Sequence, residues 1–222
     1  RSNDLGRLVE LTSPSVEGRT LTVTHAYDAA TGRLLRTTDA RGDSVVYDYD
    51  AIGNQVLVRD ASGQTITRRF GSANELLSET RYVVADPDGA GPAAPAQPLT
   101  TRYVYDSRVR LRFVIDATGQ VTEHRYNALG QRVTTLRFTG NRYPVAGLSV
   151  DASLTESTMA AWVALPGNAR LAARTNTTYD FRGQVSTVTQ FDRLTATGEG
   201  EAATASTTQF IYDSAGQLIQ TI

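Results

Sequence analysis

The sequence contains no cysteine and no lysine, and it has only one methionine, one tryptophan and two histidines. The lack of cysteine excludes disulfides, cysteine nucleophiles and zinc sites built on cysteine. No apolar run approaches the roughly 20 residues of a membrane-spanning helix. All 22 basic residues are arginine, and the net charge is −1. Because the arginines are scattered and form no basic block, the sequence does not support nucleic-acid binding.

What the sequence does contain is a recurring arrangement: an aromatic residue, then Asp or Asn, then Gly four positions after the aromatic. The aromatic residues are Tyr27, Tyr49, Phe70, Tyr105, Tyr126, Tyr179 and Tyr212. The glycine slot holds Gly32 (one residue later), Gly53, Gly130, Gly183 and Gly216, with Asn74 and Val109 in two degenerate copies. Tyr49 and Phe70 are 21 residues apart, as are Tyr105 and Tyr126. A fixed period of this length is typical of repeat proteins.

Each repeat has two turn signals with strand-like runs between them. The second signal, Asp-Ala-x-Gly or a close variant, begins at Asp39, Asp60 and Asp116. The intervening runs are rich in Thr, Val and Leu and alternate along the chain, so that His25 and Tyr27 share one face. The sequence therefore predicts an all-β fold of tandem antiparallel hairpins, one per repeat, in a curved or spiralling sheet.

The turn residues predict particular backbone angles. Glycine and asparagine tolerate positive φ, so we expect it at Gly53, Gly130, Gly183, Gly216 and Asn74. We do not expect it at Val109, where a β-branched side chain would be strained. We expect the aromatic residues to anchor the repeats by packing on neighbouring hairpins. Tyr126 should therefore matter more for stability than Tyr143, which lies in an insertion.

Three insertions interrupt the period, at residues 83–100, 140–176 and 192–206. The first contains four of the seven prolines, which predicts an irregular loop. The third is rich in Ala, Thr, Gly and Glu, and it predicts a polar hairpin extension. Because repeats share one sheet, we expect residues 1–222 to form a single repeat region. Both ends fall within a repeat, which predicts a fragment of a longer protein.

The second insertion has the signals of a helix. Ser153 and Glu156 match a capping box, an apolar run follows, and Pro166 stops the run. The sequence therefore predicts one helix at about residues 153–165, with its apolar side on the sheet because an isolated helix of that length is marginal in water.

The two histidines are the first candidates for chemistry. His25 and His124 each lie two residues before a repeat tyrosine, in a slot that other repeats fill with Tyr47, Arg68 or Phe210. A slot filled so variously is a packing position. No nucleophile-elbow pattern accompanies either histidine, and we predict no catalytic role for them.

The positions of most aspartates are explained by their role in forming turns. Of the 15 aspartates, five follow a repeat aromatic residue and three open the second turn, so eight have a turn-forming role. The stretch 86–89, Asp-Pro-Asp-Gly, resembles the start of a calcium loop, but the downstream ligands are missing. We therefore predict no catalytic residues, no metal site and no cofactor.

The Tyr-Asp-Ala-x-Gly signal followed by Asp-Ala-x-Gly closely resembles the YD repeats of the bacterial rearrangement-hotspot (Rhs) family. Such repeats also occur in C components of insecticidal toxin complexes and in teneurins. The resemblance covers nearly the whole chain apart from the insertions. It implies a β-sheet that spirals into a hollow shell, which in toxin members encloses a C-terminal toxic segment. The family's core motif for self-cleavage is not recognisable, so neither proteolysis nor a toxin is carried over.

Two classes of function remain open at this point. The resemblance favours a structural shell segment, secreted or at the bacterial cell surface, whose partners are the rest of the parent repeat protein and an enclosed toxin polypeptide. The alternative is a cell-surface interaction module that binds glycans or a partner protein. A polysaccharide-acting enzyme is the least favoured hypothesis. We expect neither a nucleic-acid partner nor a membrane span.

Overall fold

The computed structural model describes residues 1–13, 20–86 and 94–222. The chain divides into two compact units, residues 1–100 and 101–222. Fifteen antiparallel strands follow one another in chain order, and each is hydrogen-bonded to its neighbours in the sequence. This arrangement confirms the predicted all-β fold of consecutive antiparallel hairpins.

The first unit contains seven strands and the beginning of an eighth. They are β1 (Glu10–Thr12), β2 (Thr22–Tyr27), β3 (Leu34–Thr38), β4 (Ser44–Tyr49), β5 (Gln55–Arg59), β6 (Thr65–Phe70), β7 (Leu76–Val84) and the first half of β8 (Ala96–Tyr105). Strands β7 and β8 extend into the predicted insertion 83–100. Of its Asp-Pro-Asp-Gly stretch, only Asp86 is among the described residues.

The second unit contains the rest of β8, seven further strands and one helix. They are β9 (Leu111–Ile115), β10 (Val121–Tyr126), β11 (Arg132–Phe138), α1 (Glu156–Val163), β12 (Ala172–Tyr179), β13 (Val185–Phe191), β14 (Ala205–Tyr212) and β15 (Leu218–Thr221). Among the described residues, no helix is long and apolar enough to cross a membrane.

Turns alternate between the two ends of the strands because successive strands run antiparallel. In the second unit, the aromatic-Asp turns all lie at one end of the strands, and the second turn 116–119 lies at the other. The segments 139–171 and 192–204 each take the place of a second turn. These two insertions therefore lie at the same end of the strands, away from the aromatic-Asp turns.

The turn after β4 shows the conformation common to the repeats. The N–H of Gly53 donates to the carbonyl of Asp50, and the N–H of Asp50 donates to the carbonyl of Asn54. Gly53 has φ 105° and Asn74 has φ 67°. The other positive angles in this slot are 68° at Gly32, 81° at Gly130, 81° at Gly183 and 82° at Gly216. The predicted positive φ is confirmed at Gly53, Asn74, Gly130, Gly183 and Gly216.

The prediction for Val109 is wrong, because Val109 has φ 60° and keeps the glycine conformation. The turn is held by bonds that do not involve the valine side chain. The carboxylate of Asp106 accepts the N–H groups of Arg108 and Arg110, each at 2.9 Å. It also accepts Nε of Arg110 at 2.8 Å. These bonds hold the turn in shape at the cost of strain at Val109.

A hydrophobic core lies in the second unit, where α1 packs on the sheet. Its buried members are Val104, Phe113, Ile115, Val121, Leu136, Phe138, Met159, Trp162 and Leu194. The ring of Trp162 meets Phe138 edge-on at 5.4 Å between centroids. Met159 and Trp162 are the buried residues of α1, so the predicted apolar side of the helix does face the sheet.

The first unit has no such hydrophobic core in its described part, because all of the buried hydrophobic residues lie in the second unit. Its buried residues are polar, among them Thr80 and Thr100, whose hydroxyls lie 2.9 Å apart. Thr38 and Ser44 make a similar cross-strand pair at 2.8 Å. Hydrogen bonds and half-buried side chains therefore carry most of the packing in this unit.

The helix begins later and ends earlier than predicted. Thr155, not Ser153, is the capping residue, and its hydroxyl accepts the N–H of Thr158 at 3.1 Å. The helix ends at Val163, before the Pro166 that was expected to stop it. The capping-box pattern predicted the wrong residue because more than one polar residue precedes the helix. The path of the chain into the helix determines which of them caps it.

Two side chains of the insertions reach the core in the second unit. Leu194, in the segment 192–206, is 4% exposed and belongs to the core. The ring of Tyr143 meets Trp162 at 6.1 Å. In both cases a single apolar side chain from a polar segment packs against the helix, which the local composition does not reveal.

The strain at Val109 gives a direct stability test. Replacing Val109 by Gly should raise the free energy of unfolding by roughly 0.5–1 kcal/mol, because the relief of left-handed strain exceeds the added entropy of the unfolded chain. Urea denaturation measures the change. The reverse substitution, Gly130→Val, should lower stability by more than about 1 kcal/mol. A Val109→Gly protein that is less stable than the wild type would contradict the assignment.

Candidate functional site

The repeat tyrosines make a hydrogen bond that recurs from repeat to repeat. In four repeats the hydroxyl donates to a backbone carbonyl of the preceding repeat: Tyr27 to Leu8 at 2.9 Å, Tyr126 to Leu111 at 2.8 Å, Tyr179 to Arg132 at 2.9 Å and Tyr212 to Val185 at 3.0 Å. In all four cases the acceptor lies two residues after the glycine slot. The aromatic residue thus bonds one repeat to the one before it.

A second contact runs from the residue that directly follows the glycine slot to the next aromatic-Asp turn. Arg33 donates to the carbonyls of Asp50 at 2.7 Å and Ala51 at 3.2 Å. Gln184 donates through Nε2 to the carbonyl of Gly216 at 2.8 Å. These long polar side chains satisfy turn carbonyls that the strand ladder leaves unpaired.

The same arginines lie over the next aromatic ring. The guanidinium carbon is 4.8 Å from the ring centroid in the Arg110–Tyr126 pair and 5.8 Å in the Arg33–Tyr49 pair. Each pair combines a cation–π contact with the bond to the turn. The rings of Tyr49 and Tyr126 therefore pack on the arginine that arrives from the preceding repeat.

These contacts add a second reason for glycine in the turn. A methyl group on Gly53 would lie 3.1 Å from Nη2 of Arg33, and one on Gly216 would lie 3.3 Å from Nε2 of Gln184. Glycine therefore supplies both the positive φ and the space for the side chain that arrives from the preceding repeat.

The carboxylates of the turn aspartates accept hydrogen bonds from residues of the same turn. Hydrogen bonds from Thr31 lower the pKa of Asp28. Burial alone would raise the pKa of Asp106, but bonds from Arg110 and Arg108 lower it overall. A carboxylate held ionised by several donors is a poor general acid. Among the described residues, no group of three His, Asp or Glu side chains could hold a metal ion.

The most buried carboxylate is also saturated. Glu123 is 2% exposed and accepts Arg112 at 2.7 Å and Arg125 at 2.9 Å and 3.1 Å. Arg112 lies a further 3.6 Å from Glu156 of α1, which links the helix to the sheet. Two arginines on one carboxylate leave it no free lone pair that faces solvent, so we assign this cluster to packing.

The histidines occupy equivalent places and make the same contact. Nδ1 of His25 lies 3.1 Å from the hydroxyl of Thr37, and Nδ1 of His124 lies 3.3 Å from that of Thr135. Each contact joins neighbouring strands. His124 is only 8% exposed, and burial lowers its pKa, assisted by Arg132 and Arg112.

The structure therefore brings the predicted repeat residues together at the turns and gathers no catalytic set in its described part. Sequence reasoning missed the residues after the glycine slot, namely Arg33, Arg110 and Gln184. Their signal was present, because this position holds a polar residue in every copy and a long one in every copy except that of Asn54. A long polar residue after a turn glycine is common on any surface, so the pattern alone did not reveal a contact.

Residues 27–65 match the family model of the RHS repeat. This match confirms the resemblance to the Rhs family that the turn signals predicted. A comparison with curated proteins gave no match. The chain is also similar to a crystal structure of TcdB2-TccC3 without its hypervariable C-terminal region, with 12% identity over 98% of this chain and 12% of that chain and a TM-score of 0.50.

A Photorhabdus luminescens Tc holotoxin pore also matches, with 17% identity over 98% of this chain and 11% of that chain and a TM-score of 0.48. The chain therefore spans about an eighth or less of the structures it matches. At these identities, the likeness to TcdB2-TccC3 supports the fold and nothing further.

The tyrosine bond can be tested in the second unit. Tyr126→Phe removes the hydroxyl that bonds the Leu111 carbonyl, and the free energy of unfolding should fall by about 1 kcal/mol. Tyr143→Phe is the control, because it removes a tyrosine hydroxyl outside the repeat positions and leaves the ring on Trp162. Urea denaturation of both variants measures the difference. Equal losses would show that the repeat hydroxyl contributes nothing specific.

The buried histidine predicts a pH dependence. The folded pKa of His124 is below the ordinary value of 6.5, so the unfolded chain binds the proton more tightly. The stability that neutral His124 provides is complete above that value and is lost as the pH falls below it. From about pH 7 to about pH 5, the wild type should lose more stability than His124→Gln. Turn carboxylates such as Asp50 titrate below 3.8, outside this window. Identical pH profiles would contradict the prediction.

Proposed function

We propose that this chain is a wall segment of an Rhs-type shell that encloses a polypeptide. The RHS repeat at residues 27–65 and the unbroken order of antiparallel strands support this proposal. A wall needs to continue from repeat to repeat and needs no reactive groups. A secreted or cell-surface bacterial parent, with a toxin polypeptide as its cargo, is the setting we propose.

The observation that carries the proposal is the repeated tyrosine bond. The same donor meets the same backbone position in repeats separated by ordinary turns and by long insertions, as Tyr126 and Tyr179 show. Because this contact involves only the neighbouring repeat, further repeats can be joined to the sheet in the same way, as in other repeat proteins. A wall of any length can be built in this way.

In this proposal the aromatic and glycine residues of the repeats are structural anchors. The rings of Tyr27, Tyr49, Phe70, Tyr105, Tyr126, Tyr179 and Tyr212 set the spacing between hairpins. Four of the glycines, namely Gly32, Gly53, Gly183 and Gly216, admit the side chain that arrives from the preceding repeat, and Gly130 supplies the positive φ of its turn. No member of either set is proposed to touch a substrate or a cofactor.

A surface interaction module is the second candidate, because large apolar side chains are exposed on the aromatic-Asp turns. Phe181 is 91% exposed with Arg182 stacked 5.1 Å from its ring, and Leu129 is 84% exposed. Exposed aromatic residues of this kind can bind a sugar face or a partner protein. A glycan array with the wild type and with Phe181→Ala tests this candidate, and binding that depends on Phe181 would favour it over the wall.

The test of the wall proposal uses the complete product of the gene. We expect limited proteolysis to leave a polypeptide that is protected in the intact protein and digested after unfolding. Electron cryomicroscopy should show density for that polypeptide inside a closed wall. A Gly130→Val variant, which disrupts one turn, should shorten the protection time, whereas Leu129→Ala on the same turn should not. A complete protein with no protected segment and no internal density would overturn the proposal.

A further inference from the structure

The slot two residues before the repeat aromatic residue holds a planar side chain in six repeats and a threonine in one. The planar groups are the rings of His25, Tyr47, Tyr103, His124 and Phe210 and the guanidinium of Arg68. All six residues are buried or half-buried, so the neighbouring side chains pack around a flat group at this place. In β12 the slot holds Thr177, whose side chain is smaller than any of the six.

A pocket of about 520 Å³ lies beside Thr177, between β11 and β12. Its lining includes Val133, three residues after Gly130. Between β9 and β10, Arg112 takes the place of Val133 and His124 that of Thr177, and Arg112 donates to the carbonyl of His124. Two small side chains thus leave open a space that two large ones fill in the strand pair before it. We infer that this pocket binds a small molecule through one uncharged planar ring.

The lining of the pocket favours a ligand without charge. Its polar side chains are amides and hydroxyls, apart from the phenol of Tyr179 and the carboxylate of Asp180. Of the described residues in the lining, only Asp180 is charged, and its Oδ1 accepts the N–H groups of Arg182 and Gln184, each at 2.9 Å. An anionic ligand would lose hydration without gaining a cation, and the carboxylate that could attract a cation is engaged by its own turn.

Two amide side chains in the lining supply hydrogen-bond donors. Oε1 of Gln131 accepts Nδ2 of Asn127 at 2.7 Å, and Oδ1 of Asn176 accepts Nε of Arg174 at 2.9 Å. Nε2 of Gln131 and Nδ2 of Asn176 have no hydrogen-bond partner among the described residues. Because both groups are donors, the fitting ring carries an acceptor, as a phenol oxygen does.

The equivalent slots also set the size of the ligand. A tyrosine or histidine side chain ends within its slot, so the missing group is a single ring. The volume of the pocket lies in the range of small-molecule sites, which combine apolar surface with a few polar groups that fix orientation. Phenol is therefore the simplest probe, because it copies the ring and hydroxyl that Tyr47 and Tyr103 provide elsewhere.

The test titrates the whole chain with phenol and follows the amide chemical shifts of β11 and β12. The shifts should change saturably, with a dissociation constant on the order of 1 mM for so small a probe. Cyclohexanol, which has the same hydroxyl on a puckered ring, should bind roughly tenfold more weakly. Benzene, which lacks the hydroxyl, should bind roughly fivefold more weakly than phenol.

A change of Thr177 tests the position of the site. Thr177→Tyr should lower phenol affinity at least roughly tenfold, because the new ring occupies the pocket as tyrosine occupies the equivalent slots. The variant should melt no lower than the wild type, because the repeat already accepts tyrosine there. Thr177→Val is the matched control, since it changes the same side chain without filling the pocket, and it should leave phenol binding unchanged.

Several results would overturn the inference. They are the absence of saturable shifts at phenol concentrations on the order of tens of millimolar, equal binding of phenol and cyclohexanol, and unchanged phenol binding by a folded Thr177→Tyr protein. Unfolding of Thr177→Tyr but not of Thr177→Val would show that the slot does not accept a ring. A blocked Ala-Tyr-Ala peptide that binds at least roughly tenfold more tightly than phenol would assign the slot to a polypeptide side chain instead.

The inference depends on one slot of the repeat and not on an enclosed cargo. Phenol can bind where the complete protein shows no protected polypeptide, and a protected polypeptide can be found where phenol does not bind. The two experiments therefore fail independently.

Discussion

The hydrogen bonds between successive aromatic-Asp turns are the interaction on which the rest of the structure depends. The turn after β4 is closed by Asp50 and receives Arg33 from the repeat before it. Four repeat tyrosines donate their hydroxyl back to the preceding repeat, as Tyr126 does to Leu111. These bonds involve backbone carbonyls, so the sequence of the intervening strand can vary freely. That freedom explains how threonine, valine and arginine occupy equivalent strand positions without altering the pairing.

The two units share these turn contacts but differ in the side chains that pack on the sheet. In the first unit, polar pairs such as Thr80 with Thr100 lie where a hydrophobic core would be expected. In the second, the insertions bring Met159, Trp162 and Leu194 onto the sheet and form a true core. Burial of such side chains stabilises by about 1.5–3 kcal/mol each. The insertions thus cover strand residues such as Phe113 and Leu136 and complete a hydrophobic core that the described part of the first unit lacks.

The ionisable side chains of the described residues are engaged in structural contacts, and this limits the chemistry they can perform. Turn carboxylates bond their own backbone, Glu123 is saturated by two arginines, and both histidines contact threonine hydroxyls. Groups that are fully engaged in holding a turn or a strand pair are not available for proton transfer. This distribution agrees with a structural role for the described residues.

The sequence by itself determined the all-β fold, the positions of the turns and the positive φ of glycines such as Gly53, because these follow from local turn chemistry and a fixed period. It placed a helix in the second insertion for the same reason. Only the tertiary structure decided the strained turn at Val109, the cap at Thr155, the burial of Leu194 and the partner of Arg33. Those features depend on contacts with residues of another repeat or insertion. Such residues are distant in the sequence, so the local sequence pattern does not reveal the contact.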